Sequence, residues 1–315
     1  MRRIFIALAV SALSLISCQS TSIAAPSSSE DCLSNELTIV FTGDVLLDRG
    51  VRPYAEREGV RALFAGVDSV FRHADAVVIN LECPLTDTAT PVNKHFIFRA
   101  DTRWATGLRE AGVTHAALAN NHTNDQGRLG LLSTYTHLKA AGIEPLGFGF
   151  TKAERLTPVV IEKGAAEVAL FNSVPLPLEN WYDLENRPGV CQASASTLAE
   201  AISNYHAAHP ATKIIAVLHW GIEFQSIPSM QQRIDAKALL QAGADVIIGH
   251  HPHVIQPVKN IDGKPVFYSL GNFVFDQAQQ IANQAVIAHI TLHGDSIVAN
   301  SIPVNIKQTK PIIAK

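Results

Sequence analysis

The 315-residue sequence has little of what marks a disulfide-rich, nucleic-acid-binding or membrane-spanning protein. It contains four cysteines, and its 25 basic residues are balanced by 28 acidic ones. This slightly acidic balance excludes the basic surface typical of nucleic-acid binding, so we expect no nucleic-acid partner. Beyond Cys18, no apolar run in the sequence is long enough to cross a bilayer. The sequence also has no visible internal repeat and no visible linker between domains.

The chain begins with a segment typical of an exported protein. Arg2 and Arg3 precede the apolar run IFIALAVSALSLI, residues 4–16. This run is shorter than a typical transmembrane helix, and its arrangement after two basic residues is typical of a secretory signal peptide. We therefore predict a signal peptide over residues 1–17.

The signal segment ends in LISC, residues 15–18, which resembles the lipobox of bacterial lipoproteins. The resemblance predicts a lipidated Cys18, followed by a Ser-rich tether over residues 18–36. Gln19, rather than Asp, resembles the signal for the outer membrane in Gram-negative bacteria. We therefore expect an envelope protein held on the membrane by lipid and facing the periplasm if the source is Gram-negative. Ordinary signal cleavage near residues 22–26 is the alternative.

Three cysteines remain in the mature chain: Cys32, Cys83 and Cys191. The cell envelope permits disulfides, but an odd number leaves the pairing open. Cys83 directly follows Glu82, and three interpretations stay open for it. It is a buried thiol, one half of a disulfide, or a ligand close to a metal.

Short apolar runs alternate with amphipathic segments along the body of the chain, which predicts an α/β fold. Runs that suit strands buried on both faces lie at 37–41, 76–79, 116–119, 213–218 and 245–248. Helical patterns lie near 60–72, 101–111, 128–141, 194–207 and 229–242. Ser229 and Gln232 have capping-box spacing, and Gly142 and Gly243 follow predicted helix ends. The remainder, from residue 264 to 305, is rich in strand patterns.

Residues able to bind a metal follow nearly every one of these strands. In open α/β sheets, ligands bind beyond the carboxyl ends of the strands, so we expect these side chains to converge. Carboxylate, amide and imidazole donors together favour Mn, Fe or Zn, as one or two ions. The side chains that follow the five strands are Asp44 and Asp48; Asn80 and Glu82; Asn120, Asn121, His122 and Asp125; His219; and His250, His251 and His253.

Six blocks follow one another along the chain: TGDVLLDRG (42–50), VINLECPLT (78–86), LANNHTNDQG (118–127), LHWGIEF (218–224), GADVIIGHHPHVIQP (243–257) and YSLGNFVFD (268–276). In this order they resemble the CapA family, which is named for poly-γ-glutamate capsule synthesis. That family is similar to the calcineurin-like metallophosphoesterases, so the resemblance implies a four-layer α/β/β/α sandwich over residues 37–280. Strands over residues 281–315 would complete the domain.

The resemblance also implies roles for individual residues. Two departures bear on them: Leu46 stands where metallophosphoesterases usually have a histidine, and Asn80-Leu81-Glu82 replaces an aspartate block. His122 would be the catalytic proton donor. The metal ligands would be Asp44, Glu82, Asn121, His219, His251 and His253. Supporting or cleft residues would be Asp48, Asn80, Asp125, His250, Asn272 and Asp276. The aromatic residues of LHWGIEF are expected to serve packing rather than to stack on a substrate.

Three functions are open from the sequence. The first is synthesis, export or trimming of an anionic capsule polymer, with a membrane synthase as partner. The second is metal-dependent hydrolysis of a phosphoester, including a small phosphorylated substrate, or of a γ-glutamyl amide. The third is a non-catalytic component that binds the polymer or the synthase through a degenerate metal site.

Overall fold

A computed structural model describes residues 36–314. The predicted signal peptide, Cys18, Cys32 and all of the predicted tether before residue 36 lie outside the described residues. Within residues 36–314, no helix combines the length and the apolar character needed to cross a membrane.

The described residues alternate between strands and helices. The strands are β1 Glu36–Val45, β2 Ala76–Leu81, β3 His115–Ala117, β4 Glu144–Leu146, β5 Phe148–Gly149, β6 Val159–Lys163, β7 Ala166–Ser173, β8 Gly189–Val190, β9 Lys213–His219, β10 Val246–His250, β11 Ile255–Ile261, β12 Lys264–Leu270, β13 Asn272–Val274, β14 Gln284–His293, β15 Ser296–Lys307 and β16 Lys310–Ile313. The α-helices are α1 Arg52–Glu58, α2 Val60–Leu63, α3 Asp68–Phe71, α4 Trp104–Glu110, α5 Gly127–Ala140, α6 Lys152–Leu156, α7 Ala195–Ala208 and α8 Met230–Ala242. Short 3-10 turns cover Ala65–Val67 and Gln280–Asn283.

Most strands belong to two large sheets. In the first sheet the order is β16-β15-β14-β1-β2-β3-β4, and β13 pairs with the end of β1. In the second sheet the order is β11-β12-β10-β9-β7-β6. The neighbours β1, β2, β3 and β4 are parallel, as are β7, β9, β10 and β12. The carboxyl ends of β1, β2 and β3 therefore reach one edge of the first sheet, and those of β9 and β10 reach one edge of the second.

Alternating side chains place the two sheets face to face. Ile39 and Phe41 of β1 pack against residues such as Ile215 and Ile248 of the second sheet. Val40, on the opposite face of β1, packs with the residues of α1 to α5. The outer face of the second sheet packs on α7 and α8. Each sheet thus has one face on the other sheet and one face on helices, which confirms the four-layer α/β/β/α sandwich.

The apolar patterns and helix-end residues in the sequence predicted the positions of most helices correctly. Ser229 and Gln232 form the predicted capping box at the start of α8, and Gly142 and Gly243 adopt positive φ at helix ends. The pattern over residues 60–72 is not one helix, because α2 and α3 are separated by the 3-10 turn. A Cβ on Gly66 in that turn would lie 2.4 Å from the carbonyl oxygen of Pro311, so the turn contacts β16 closely.

Candidate metal centre

The predicted ligands converge because the two sheets present the same ends to one region. Asp44 is near the end of β1, beside Asn272 of β13, and its backbone N–H donates to the carbonyl oxygen of Gly271 at 3.0 Å. A Cβ on Gly43 would lie 2.0 Å from that same oxygen. Only glycine permits this approach, so Gly43 fixes where Asp44 is held.

Asp44, Glu82 and His253 form the centre of the cluster. They offer ligand atoms that all lie within 4.8 Å of one another, and all three side chains are buried. His253 Nδ1 lies 3.2 Å from Asp44 Oδ2, and His253 Nε2 lies 3.8 Å from Glu82 Oε1. Two carboxylates and one imidazole in this arrangement are donors suited to a divalent cation.

A second group of donors contacts the other side of Glu82. His219 Nε2 lies 3.7 Å from Glu82 Oε1 and 2.9 Å from Asn121 Oδ1. The ring of His251 lies 4.8 Å from the ring of His219, measured between centroids. Glu82 therefore stands between the group of Asp44 and His253 and the group of His219, Asn121 and His251. The structure brings all six predicted ligands together, while their role as ligands stays a prediction.

The buried donor atoms fit a cation. Within residues 36–314, Asp44 Oδ2, both carboxylate oxygens of Glu82 and His251 Nδ1 are buried without a hydrogen-bond partner. Buried polar atoms are normally paired, because an unpaired one loses its hydration without compensation. His251 and His253 also adopt φ values of 98° and 59°, in the left-handed region that side chains other than glycine rarely occupy. Unpaired oxygens and backbone strain at the same place are typical of a functional site.

Burial and mutual charge perturb the acids and bases of the cluster. Burial raises the pKa of Glu82 well above its ordinary value, and the neighbouring Asp44 raises it further. Burial opposes ionisation of Asp44 as well, but His253 outweighs burial and holds the pKa of Asp44 below its ordinary value. Although burial alone would lower it, the pKa of His253 rises to about 9 through Glu82 and Asp44. Burial lowers the pKa of His219 well below its ordinary value and that of His251 to about 3.

Amide side chains orient the cluster from behind. Asn80 Nδ2 donates to Asp44 Oδ1 at 2.8 Å and lies 3.3 Å from His219 Nδ1. Asn272 Oδ1 lies 2.9 Å from His253 Nδ1, which leaves His253 Nε2 directed toward Glu82. Such contacts to the second nitrogen of a ligating histidine fix its orientation and tautomer.

His250 points away from its two neighbours in the same loop. Its Nε2 lies 2.8 Å from the carbonyl oxygen of Thr42, where a donated hydrogen bond ties β10 to β1. The structure thus places it behind the cluster. The reason is strand alternation, because consecutive residues of a strand such as β10 point to opposite faces.

His122 lies beside the cluster, in a network centred on Asp125. His122 Nδ1 lies 2.8 Å from Asp125 Oδ2, and that carboxylate also accepts from Lys94 Nζ at 2.6 Å and from the Phe98 N–H at 2.7 Å. Lys94 Nζ donates as well to the carbonyl oxygen of Asn121 at 2.6 Å. Burial lowers the pKa of His122 below its ordinary value, although Asp125 opposes this. The ring is therefore neutral near pH 7, with its Nδ1 proton donated to Asp125.

Other predicted residues lie outside the cluster. Asp48 accepts from Arg52 Nε at 3.0 Å and from the Arg99 N–H at 2.7 Å, so it braces the start of α1. Asp276 pairs with Arg49 and accepts from the Gly50 N–H. Both carboxylates are thereby used by cations or amides rather than by the cluster.

Leu46, Cys83 and Cys191 pack in the core. Leu46 is fully buried with the residues of α1 to α5. Within residues 36–314, Cys83 and Cys191 are buried and form no disulfide, and Cys83 Sγ accepts from the Leu47 N–H. Of the three interpretations of Cys83, the buried thiol fits the described residues.

The sequence reasoning missed two residues. Lys94 gave no signal, because a lysine in a polar loop is usually solvated and its 3% exposed side chain depends on the fold. Phe98 stacks on His122 with ring centroids 4.1 Å apart, also without a sequence signal. In LHWGIEF, Trp220 is buried, whereas Phe224 is 37% exposed and lines a cavity. That these aromatic residues serve packing rather than substrate stacking stays a prediction.

Two cavities lie near the ends of the strands. One of about 330 Å³ opens beside His122 and His253. Another cavity, of about 590 Å³, lies at the starts of α7 and α8 and has none of the predicted ligands in its lining. We place the chemistry at the smaller cavity, because His122 and His253 of the candidate site line it.

Sequence comparisons identify related proteins. A family model described as bacterial capsule synthesis protein PGA_cap matches residues 38–277. The chain is 31% identical over 244 residues to the PGA biosynthesis protein CapA of Bacillus subtilis, covering 76% of this chain and 64% of that protein. It is 30% identical over 287 residues to the capsule biosynthesis protein CapA of Bacillus anthracis, covering 88% and 69%. The chain thus spans about two thirds of the length of these relatives.

Solved structures give weaker likenesses. The Haemophilus influenzae NAD nucleotidase aligns with a TM-score of 0.49 and 13% identity, covering 89% of this chain and 54% of that one. The Thermus thermophilus sulfate thiohydrolase SoxB aligns with a TM-score of 0.48 and 12% identity, covering 85% and 56%. These likenesses are too weak to assign a property of either structure to this chain.

Proposed function

Because this chain belongs to the family of bacterial capsule synthesis proteins, we propose that it is a metal-dependent hydrolase that works in the synthesis of a capsule polymer. The family match confirms the resemblance to the CapA family. The observation that carries the proposal is the set of buried, unpaired donor atoms on Asp44, Glu82 and His251 within residues 36–314. A protein that used this region only for packing would lose stability there without compensation.

Six side chains would hold the metal: Asp44, Glu82, Asn121, His219, His251 and His253. Glu82 stands between two groups of donors, so the cluster accommodates one or two ions, and its mixture of donors favours Mn, Fe or Zn. Such an ion supplies positive charge for a developing oxyanion and makes a water molecule more acidic. Asn80 and Asn272 would keep the ligands in place.

His122 would move the proton. Since Asp125 holds the Nδ1 proton, Nε2 of the neutral ring is free to accept one. In hydrolysis the water oxygen forms a bond to the attacked centre, its proton passes to Nε2, and the bond to the leaving atom breaks. His122 then gives that proton to the leaving atom, which is the donor role expected from the family resemblance.

We propose a phosphoester as the substrate class, with a γ-glutamyl amide as the second candidate. The printed names of two relatives, a PGA biosynthesis protein and a capsule biosynthesis protein, support poly-γ-glutamate as the polymer whose synthesis this chain serves. A membrane synthase would be its partner in that process.

We further propose that the protein is a lipoprotein of the cell envelope, anchored through Cys18. The LISC segment at residues 15–18 supports this. The prediction is that cells fed a labelled fatty acid incorporate the label into the wild type and not into the Cys18→Ser variant. Equal labelling of both proteins would contradict the anchor.

The hydrolase proposal is tested with the purified full chain. Metal content is measured by mass spectrometry, and turnover is measured on bis(4-nitrophenyl) phosphate, 4-nitrophenyl phosphate and γ-glutamyl-4-nitroanilide with added Mn, Fe or Zn. We expect Asp44→Asn to lose both metal and turnover. His122→Asn should keep its metal and lose about 10²–10⁴-fold in rate. Glu162→Gln, an exposed carboxylate on β6, is the matched control and should change neither.

Two results would separate the alternatives. A metal-loaded protein with no turnover on any of these compounds would favour a non-catalytic component that binds the polymer or the synthase. A purified chain that takes up no divalent metal would contradict the metal centre itself.

A further inference from the structure

The cavity beside the metal cluster is walled by phenylalanines. Phe98 and Phe275 are buried, whereas Phe96 and Phe224 are 55% and 37% exposed. Exposing a phenylalanine to water costs free energy, although single exposed phenylalanines are common on protein surfaces. Here two of them border one cavity of about 330 Å³ that already has two buried rings in its lining. This volume is within the range of small-molecule binding pockets.

The phenylalanines contact the groups that would carry out the chemistry. Phe98 stacks on His122 with centroids 4.1 Å apart, and Phe275 lies 4.9 Å from the ring of His253. Phe224 lies 6.1 Å from His253. A molecule whose reacting end reached the metal cluster would therefore place its next few atoms against aromatic carbon.

The charges of the cavity are already balanced. Arg49 is paired with Asp276, and its guanidinium lies over the rings of Phe98 and Phe275 at 5.3 and 5.7 Å. Apart from His253, which belongs to the metal cluster, the further charged group that lines the cavity is the carboxylate of Glu223. Within the described part of the chain, this lining has no excess positive charge. A stretch of γ-linked glutamate carries one carboxylate per residue and would need such charge.

We propose that the group bound in this cavity is apolar, so that the substrate is an anionic ester whose non-reacting part is an aromatic ring or a hydrocarbon chain. This inference rests on the proposed hydrolase function and specifies its substrate. The anionic head meets the metal cluster and His122, and the apolar part covers Phe96 and Phe224. The capsule polymer itself is not the occupant of this cavity, so the chain acts on a smaller or lipid-linked compound of polymer synthesis.

Phosphonates with the same head and different tails test this without turnover. The full chain is loaded with Mn²⁺, and binding of methylphosphonate, phenylphosphonate and octylphosphonate is measured by titration calorimetry. Phenylphosphonate or octylphosphonate should bind about tenfold or more tightly than methylphosphonate, because each buried apolar carbon adds affinity. The tighter of the two shows whether the natural group is a ring or a chain. A γ-linked triglutamate should bind more weakly than both.

Exposed side chains allow variants that keep the fold. Phe96→Ala and Phe224→Ala should each weaken the binding of phenylphosphonate or octylphosphonate, relative to the binding of methylphosphonate, by about fivefold. Phe150→Ala is the matched control, since Phe150 is 44% exposed and packs on Tyr135 instead, and it should leave the preference unchanged.

The inference and the proposed function fail in different ways. Equal binding of the three phosphonates to the metal-loaded chain, binding of none of them, or tight binding of triglutamate would overturn the apolar cavity while leaving the metal centre in place. Absence of Mn²⁺ uptake, read separately by mass spectrometry, would overturn the proposed function.

Discussion

Replacing Glu82 by glutamine should stabilise the metal-free protein and remove its response to metal. The side chain of Glu82 is fully buried, and neither of its oxygens has a hydrogen-bond partner within residues 36–314. Asp44 adds a second buried carboxylate, while His253 supplies positive charge. Glu82→Gln keeps the shape and replaces a carboxyl group whose ionisation burial and Asp44 both oppose, which leaves Asp44 and His253 as a charge-balanced pair. Removing the penalty for an uncompensated buried group raises the free energy of unfolding by about 1–3 kcal/mol.

The expected temperature shifts follow from the size of the domain. About 280 residues, at ~2.1 cal/mol/K each, give an unfolding entropy near 0.6 kcal/mol/K. A metal at 100 times its dissociation constant stabilises the native state by about 2.7 kcal/mol, which corresponds to a Tm increase of about 4–5 °C. The variant should melt about 2–5 °C above the wild type in EDTA. In saturating Mn²⁺ the variant should gain nothing, whereas the wild type gains its full shift.

Scanning calorimetry of both proteins, with EDTA and with Mn²⁺, measures all four melting temperatures. Glu162→Gln, whose side chain lies on an exposed position of β6, is the control and should follow the wild type in both buffers. A Glu82→Gln variant that melts below the wild type in EDTA and still responds fully to Mn²⁺ would refute the reasoning. Glu82 would then be a structural residue rather than a ligand.

Three further changes have calculable results. Gly43→Ala should destabilise the protein by about 2–3 kcal/mol in urea unfolding, because its Cβ would lie 2.0 Å from the Gly271 carbonyl oxygen. Asn272→Ala should weaken Mn²⁺ binding about 10–100-fold in calorimetric titrations, because His253 loses its orienting contact. Burial lowers the pKa of His115 from 6.5 to about 4, so stability should fall by at most about 3 kcal/mol between pH 6.5 and 4.

The sign of the pH effect follows from which state binds the proton. Between pH 6.5 and 4 the unfolded chain protonates His115 and the folded chain does not, so acid favours unfolding across this range. When the urea unfolding midpoint is measured as a function of pH, His115→Gln should remove the part of the slope that His115 causes between pH 6.5 and 4. An unchanged slope, a fully stable Gly43→Ala, or wild-type metal affinity in Asn272→Ala would each contradict the corresponding argument.

The sequence by itself determined the fold class and where the polar residues gather. Continuous apolar runs such as LTIVF encode strands that are buried on both faces, and the capping box at Ser229 encodes the start of α8. These signals are local, so they can be read without knowing the fold. The position of Asp44 and Glu82 at strand ends predicted one site, because parallel strands bring their carboxyl ends to one edge.

Only the tertiary structure decided what these residues contact. Asp48 and Asp44 stand four positions apart in one block, yet one braces α1 and the other faces Glu82. Lys94 pairs with Asp125 from a loop that carries no motif. Arg49 and Phe275, far apart in the chain, meet in one cavity. Contacts of this kind depend on how distant segments pack, and local residue patterns do not contain that information.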